Sequence, residues 1–92
     1  MSNYTDRCDL VLITWDDSHH GSGWKWLDEI LDKNEQCLCF SVGWMAALSK
    51  THTTLIPHVS CGEGLRTQGL GEMTIPNRAI VSVKILKRKA KR

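Results

Sequence analysis

Asp16, Asp17, Ser18, His19 and His20 stand consecutively, and no other stretch of the chain gathers so many groups that move protons or hold ions. A carboxylate pair beside an imidazole pair has the ingredients of acid–base chemistry, and a cation takes such oxygen and nitrogen donors. Neighbours on an extended loop diverge rather than converge on one point, however. Asp and Ser at such positions ordinarily bond the nearby backbone of a turn. Ser18, His19 or His20, and Asp16 match the composition of a Ser–His–Asp triad, but adjacency does not supply triad geometry and no nucleophile elbow is present. Cys37, Cys39 and Cys61 with His52 and His58 offer Cys-x-Cys without a second paired motif at zinc spacing. No glycine-rich phosphate loop opens a helix after a strand. These residues assign no catalytic group, no metal ligand and no cofactor, and the chain reads as a non-enzyme.

A binding site is the better use of the same stretch. From Trp15 to Trp26 it holds three of the chain's four tryptophans and the glycines Gly21 and Gly23. Glycines let backbone N–H groups approach a ligand closely. Ser18, His19 and His20 add hydrogen-bonding groups, and Trp24 and Trp26 add flat aromatic surface. Arg66 and Arg78 are the candidates for the positive charge that the stretch itself lacks, since Arg suits phosphate. A nucleotide needs that mixture: stacking surface for the base and donors for the phosphate. The competing reading is a loop that braces the fold with its tryptophans buried. On a helix Trp24 and Trp26 diverge by about 200°, so one is expected to pack inward and the other to stay partly exposed. Trp15 and Trp44, on strands, are expected in the core.

The elements that carry these residues follow from the apolar pattern. Residues 10–15 are a β-branched and aromatic run that is too short for an ordinary helix and reads as a strand. Residues 24–33 place Trp26 or Leu27, Ile30 and Leu31 on one helical face, which predicts a helix of two to three turns with Asn34 as its stop. Residues 37–45 return to strand character, with large apolar side chains at Leu38, Phe40, Val42 and Trp44, and Gly43 marks a bulge or bend. Residues 53–60 form a strand that Pro57 makes an edge or irregular. Residues 61–71, with four glycines, read as a mobile loop. Residues 72–75 and 80–86 are strands joined by one turn at Pro76-Asn77-Arg78-Ala79. Five strands with a short helix in the first connection describe a mainly β fold, a small SH3-like or Sm-like barrel. An OB-type barrel fits less well, because its helix usually lies later in the chain.

The chain has 92 residues, enough for one small domain with a marginal core, so self-association is expected. The domain is read as 8–86, with a flexible leader at 1–7 and a basic, disordered tail at 87–92. Of twelve Lys and Arg, six fall in the last nine residues, which leaves the body with six basic and ten acidic residues, a balance of −4. The acidic body cannot offer a broad phosphate track, so any nucleic-acid contact is expected to be weak and to run through the tail. The first residues do not form a signal peptide and no run is long enough to span a bilayer. A cytoplasmic protein with reduced cysteines and no membrane contact is expected.

Trp15-Asp16-Asp17-Ser18 with Gly23-Trp24, Ser41-Val42-Gly43-Trp44, Leu55-Ile56-Pro57-His58-Val59-Ser60, Gly71-Glu72-Met73-Thr74-Ile75-Pro76 and Ala79-Ile80 occur in that order between residues 10 and 86. This combination resembles a class of small, mostly uncharacterised bacteriophage proteins. The resemblance implies a phage origin and a small β-barrel, and assigns no activity and no site residues. The leader and the basic tail lie outside the pattern. By analogy with other small phage proteins, the expectation is a host-takeover or anti-defence factor in the host cytoplasm. It would be a homo-oligomeric binding module that sequesters a nucleotide-type small molecule or binds a host protein. The alternative is an RNA- or DNA-binding accessory protein that uses the tail, and a small hydrolase or metal enzyme is a third class.

Overall fold

The computed structural model describes residues 4–17, 24–32, 37–61 and 66–90. Among the described residues seven strands and one α-helix follow in order: β1 (Leu10–Asp16), α1 (Leu27–Asp32), β2 (Leu38–Leu48), β3 (His52–Ile56), β4 (His58–Ser60), β5 (Gln68–Leu70), β6 (Met73–Pro76) and β7 (Ile80–Lys87). The fold is mainly β with its helix in the first connection, as the sequence predicts. Five strands form one antiparallel sheet in the order β6-β3-β2-β1-β7, and β4 and β5 form a separate two-stranded ribbon.

The strand count exceeds the expected five for two reasons. Pro57, which has no N–H to give a ladder, divides the expected 53–60 strand into β3 and β4. The segment read as a loop at 61–71 contains β5, which pairs with β4 through His58 opposite Leu70 and Ser60 opposite Gln68. Gly71 closes that segment in the left-handed region at φ 78°, a conformation that suits glycine.

Edge strands β6 and β7 are consecutive in the chain and are joined only by a 3₁₀ turn, Asn77–Ala79. Three residues of 3₁₀ helix rise about 6 Å, so the sheet curls until its two edges meet at that corner. No ladder joins β6 to β7 among the described residues, and the sheet is open as hydrogen-bonded. Extra residues on β7, at Val81 and Leu86, shift its register against β1 and add local twist.

The core is small. Val11, Ile13, Leu55 and Ile75 are fully buried on the inner face, with Trp15, Met45, Ala79 and Ile80 packed partly against them. Trp44 is half-buried, on the opposite face of the sheet from Trp15. The alternation of β2 runs opposite to what residue size suggests. Cys39, Ser41 and Gly43 share the inner face with Trp15, Ile13 and Val11, while Leu38, Phe40 and Val42 face outward and are exposed. A Cβ on Gly43 would meet the Ile56 carbonyl oxygen at 3.1 Å and the Leu55 Cβ at 3.2 Å. Gly43 thus allows β3 to approach closely, and the irregularity of β2 falls instead between Met45 and Ala47.

At the ends, Tyr4–Arg7 forms a 3₁₀ turn. The backbone N–H groups of Lys89 and Ala90 donate to Asp9 Oδ1 (2.7 Å) and to the Asp6 carbonyl (2.8 Å). The chain expected to leave the fold after residue 86 is therefore tied to it as far as Ala90.

Candidate functional site

Of the nine residues expected to bind a ligand, Ser18, His19, His20, Gly21 and Gly23 lie outside the described residues. The other four fall on three separate elements. Trp24 and Trp26 lead into α1, whose first bond runs from the Ile30 N–H to the Trp26 carbonyl at 3.2 Å. Arg66 approaches β5, and Arg78 sits in the 3₁₀ turn between the sheet's two edges; both are exposed.

The tryptophans correct one expectation. Neither packs inward: Trp24 is fully exposed and Trp26 is 76% exposed. The reason is local. Leu27, Ile30 and Leu31 form the apolar stripe of α1 at i, i+3 and i+4, and that stripe is itself exposed, so no inward side exists to receive Trp26.

A hydrogen-bonded clasp fixes the turn that carries Arg78. Thr53, buried on β3, donates from Oγ1 to Asn77 Oδ1 at 2.7 Å. Asn77 in turn donates from Nδ2 to the Ser49 carbonyl (2.8 Å) and from its backbone N–H to the Thr51 carbonyl (2.8 Å). Ser49 Oγ accepts from the backbone N–H of His52 at 3.0 Å and so shapes the β2–β3 turn. Arg78 is thus held beside a rigid corner with its own side chain in solvent. Sequence reading marked Asn77 only as part of a turn, because the buried partner Thr53 is 24 residues away.

On the inner face, Trp15 Nε1–H donates to Ser41 Oγ at 3.0 Å, and the Ser41 hydroxyl points to Met73 Sδ at 3.7 Å. This chain satisfies the indole of a half-buried tryptophan and ties β1, β2 and β6 together. It is structural rather than chemical, since no ionisable group joins it.

The four cysteines are free thiols. Cys8 is buried and Cys39 half-buried, while Cys37 and Cys61 are exposed. Desolvation pushes the Cys39 thiol above its ordinary range, and negative charge at Cys37 and Asp17 pushes it further the same way. Such a thiol stays protonated near neutrality and is a poor nucleophile. His52, whose Nδ1 lies 2.8 Å from Thr51 Oγ1, and His58 are exposed on different strands. No group of three or more His, Cys, Asp or Glu is placed to hold a metal ion among the described residues.

No helix among the described residues is long and apolar enough to cross a membrane. Bare apolar surface is the main feature of the exterior. The accessible surface is 7849 Å², whereas a folded monomer of this mass exposes about 5,400 Å². The radius of gyration is 17.4 Å, against about 12 Å for a compact domain of this length. No known protein family, curated protein or solved structure matches this chain.

Proposed function

We propose that this chain is a non-enzymatic binding module that works as a homo-oligomer built from small SH3-like or Sm-like barrels. The observation that carries the reading is the surplus of exposed surface, about 2,400 Å² beyond a folded monomer of this mass. Large apolar side chains are part of what is exposed: Trp24 fully, Trp26 to 76%, Leu31 to 70% and Phe40 to 67%. Exposed apolar surface of this kind is what an interaction site presents. The one-turn link between the two edge strands supports the barrel topology, because it brings the ends of a five-stranded sheet to one corner.

The ligand of this module is a nucleotide-type signal taken at the seam between copies. Trp24 supplies a flat face for a base, and the exposed guanidinium groups of Arg66 and Arg78 supply donors for phosphate. We further propose a phage origin and a role in the host cytoplasm, where sequestering such a signal blunts a defence response. Native mass spectrometry of the protein recovered from phage-infected cells tests the reading. It predicts an oligomer that carries a small molecule absorbing as a nucleotide. A ligand-free monomer contradicts it.

A second reading, nucleic-acid contact through the C-terminal end, draws on one observation. Lys84 and Lys87 share a face of β7 and continue into Arg88 and Lys89, all exposed. Binding of that kind weakens steeply with salt, and a salt titration of binding to single-stranded RNA separates it from the first reading.

A further inference from the structure

Two thiols meet where the end of β1 lies against the start of β2. The pairing of these strands runs one step past the Asp16–Leu38 pair, because the Asp17 N–H donates to the Cys37 carbonyl at 2.9 Å. Trp15 lies opposite Cys39. The two-residue period then puts Asp17, Cys37 and Cys39 on the inner face with Trp15. Cys39 Sγ leans back along the strand and donates to the Cys37 carbonyl at 3.8 Å, in the direction of the other thiol. Cys37 is exposed, while Cys39 is half-buried opposite a half-buried tryptophan. The pair thus has one side open to solvent and one side backed by fixed structure.

Spacing decides what such a pair can hold. Side chains two apart on a strand are separated by about 6.7 Å at Cβ, too far for a disulfide, which keeps its Cβ atoms about 3.8 Å apart. A metal ion between two sulfurs holds them about 4.6 Å apart at about 2.3 Å per bond, a span that two thiols leaning toward each other reach. Softness and donor number select the ion. Thiolates suit copper(I) and zinc. Zinc takes four ligands, and no third His, Cys, Asp or Glu joins the pair among the described residues. Copper(I) and its heavier congener silver(I) are satisfied by two thiolates in a line.

We propose that Cys37 and Cys39 form a two-coordinate site for a soft monovalent cation of the copper(I) class. The site goes beyond the binding module described above and does not depend on it. The local field favours a cation. Desolvation, and after it negative charge at Cys37 and Asp17, keeps the Cys39 thiol protonated. A cation that takes the proton's place is drawn by the same negative charge. Binding exchanges two S–H bonds for two sulfur–metal bonds, releases two protons and moves no electrons. The bond from Asp17 to the Cys37 carbonyl holds the backbone of the site in place before any ion arrives.

Competition for copper(I) against bicinchoninate, under anaerobic reducing conditions, tests the site in the full-length chain. The unmodified chain is expected to retain one copper(I). Cys37→Ser and Cys39→Ser are each expected to weaken retention at least about a hundredfold, more than loss of a supporting group costs. Cys37 is exposed, so its variant is expected to fold, with circular dichroism as the check on both. Cys61→Ser removes another exposed thiol and is expected to leave retention unchanged. Copper K-edge absorption of the loaded chain is expected to show two sulfur neighbours. An unmodified chain that yields all its copper to the competitor overturns the proposal. A Cys61→Ser variant that loses as much copper as Cys37→Ser also overturns it, because any exposed thiol would then be scavenging the ion. Three or four neighbours in the absorption spectrum overturn the two-coordinate assignment.

Discussion

Replacing Asn77 by alanine tests how the corner between the two edge strands is held. The side chain accepts from buried Thr53 Oγ1 at 2.7 Å and donates to the Ser49 carbonyl at 2.8 Å. Removing it orphans the Thr53 hydroxyl, and an unsatisfied buried group costs about 1–3 kcal/mol. Loss of the bond to Ser49 adds about 0.5–1.5 kcal/mol, less because the site is exposed and water can substitute. The expected sum is about 2–3 kcal/mol. In a domain of this size that lowers the melting temperature by about 10–20 °C. Thermal melts followed by circular dichroism measure it, at fixed protein concentration because association shifts the midpoint. Thr53→Val should cost less, since Asn77 is only half-buried and water can replace the lost donor. The double variant should lose less than the sum of the two single changes, because the two groups act on one bond. An Asn77→Ala protein that melts within a degree or two of the unmodified chain would refute the clasp.

Other perturbations probe separate parts of the structure. Gly43→Ala forces a Cβ against the Ile56 carbonyl and Leu55, and should destabilise by about 1–3 kcal/mol in chemical denaturation; a neutral effect would mean that β2 and β3 separate freely. Phe40→Ser removes exposed surface, so circular dichroism should be unchanged while the dissociation constant rises at least about tenfold. An unchanged dissociation constant would clear that face of any role in association. Cys39, its thiol pushed up by desolvation and by Cys37 and Asp17, should alkylate only at higher pH than an ordinary thiol. Because negative charge raises such a pKa, Asp17→Asn should move the alkylation profile to lower pH. Peptide mass spectrometry after timed alkylation reads both shifts, and a profile at the ordinary thiol position would contradict the environment described.

The first and last strands of the chain were the most legible part of the sequence. Residues 10–15 and 80–86 are β-branched runs, and each became a strand extended by one residue. Legibility fell where pairing is non-local. β5 is Gln-Gly-Leu, with no strand propensity of its own, and exists because β4 pairs with it across the intervening loop. The facing of β2 was inverted because size alone cannot say which face a neighbour already fills. Leu55 and the Ile56 backbone occupy the space beside Gly43, so the small residues of β2 turn inward and the large ones outward. At the candidate site, the sequence marked Trp24 and Trp26 as aromatic surface, and both are exposed. It gave no sign that the whole apolar stripe of α1 would be exposed with them, because that depends on what lies opposite the helix. Arg78 was marked for its charge, whereas the clasp that positions it came from a contact no local pattern contains.

On the self-associating reading one copy does not complete the apolar packing. Sedimentation of the full-length chain across a micromolar concentration range decides the point. The expected result is a species whose mass is a multiple of 10.4 kDa and which dissociates only on dilution. A single 10.4 kDa species at every concentration would contradict it.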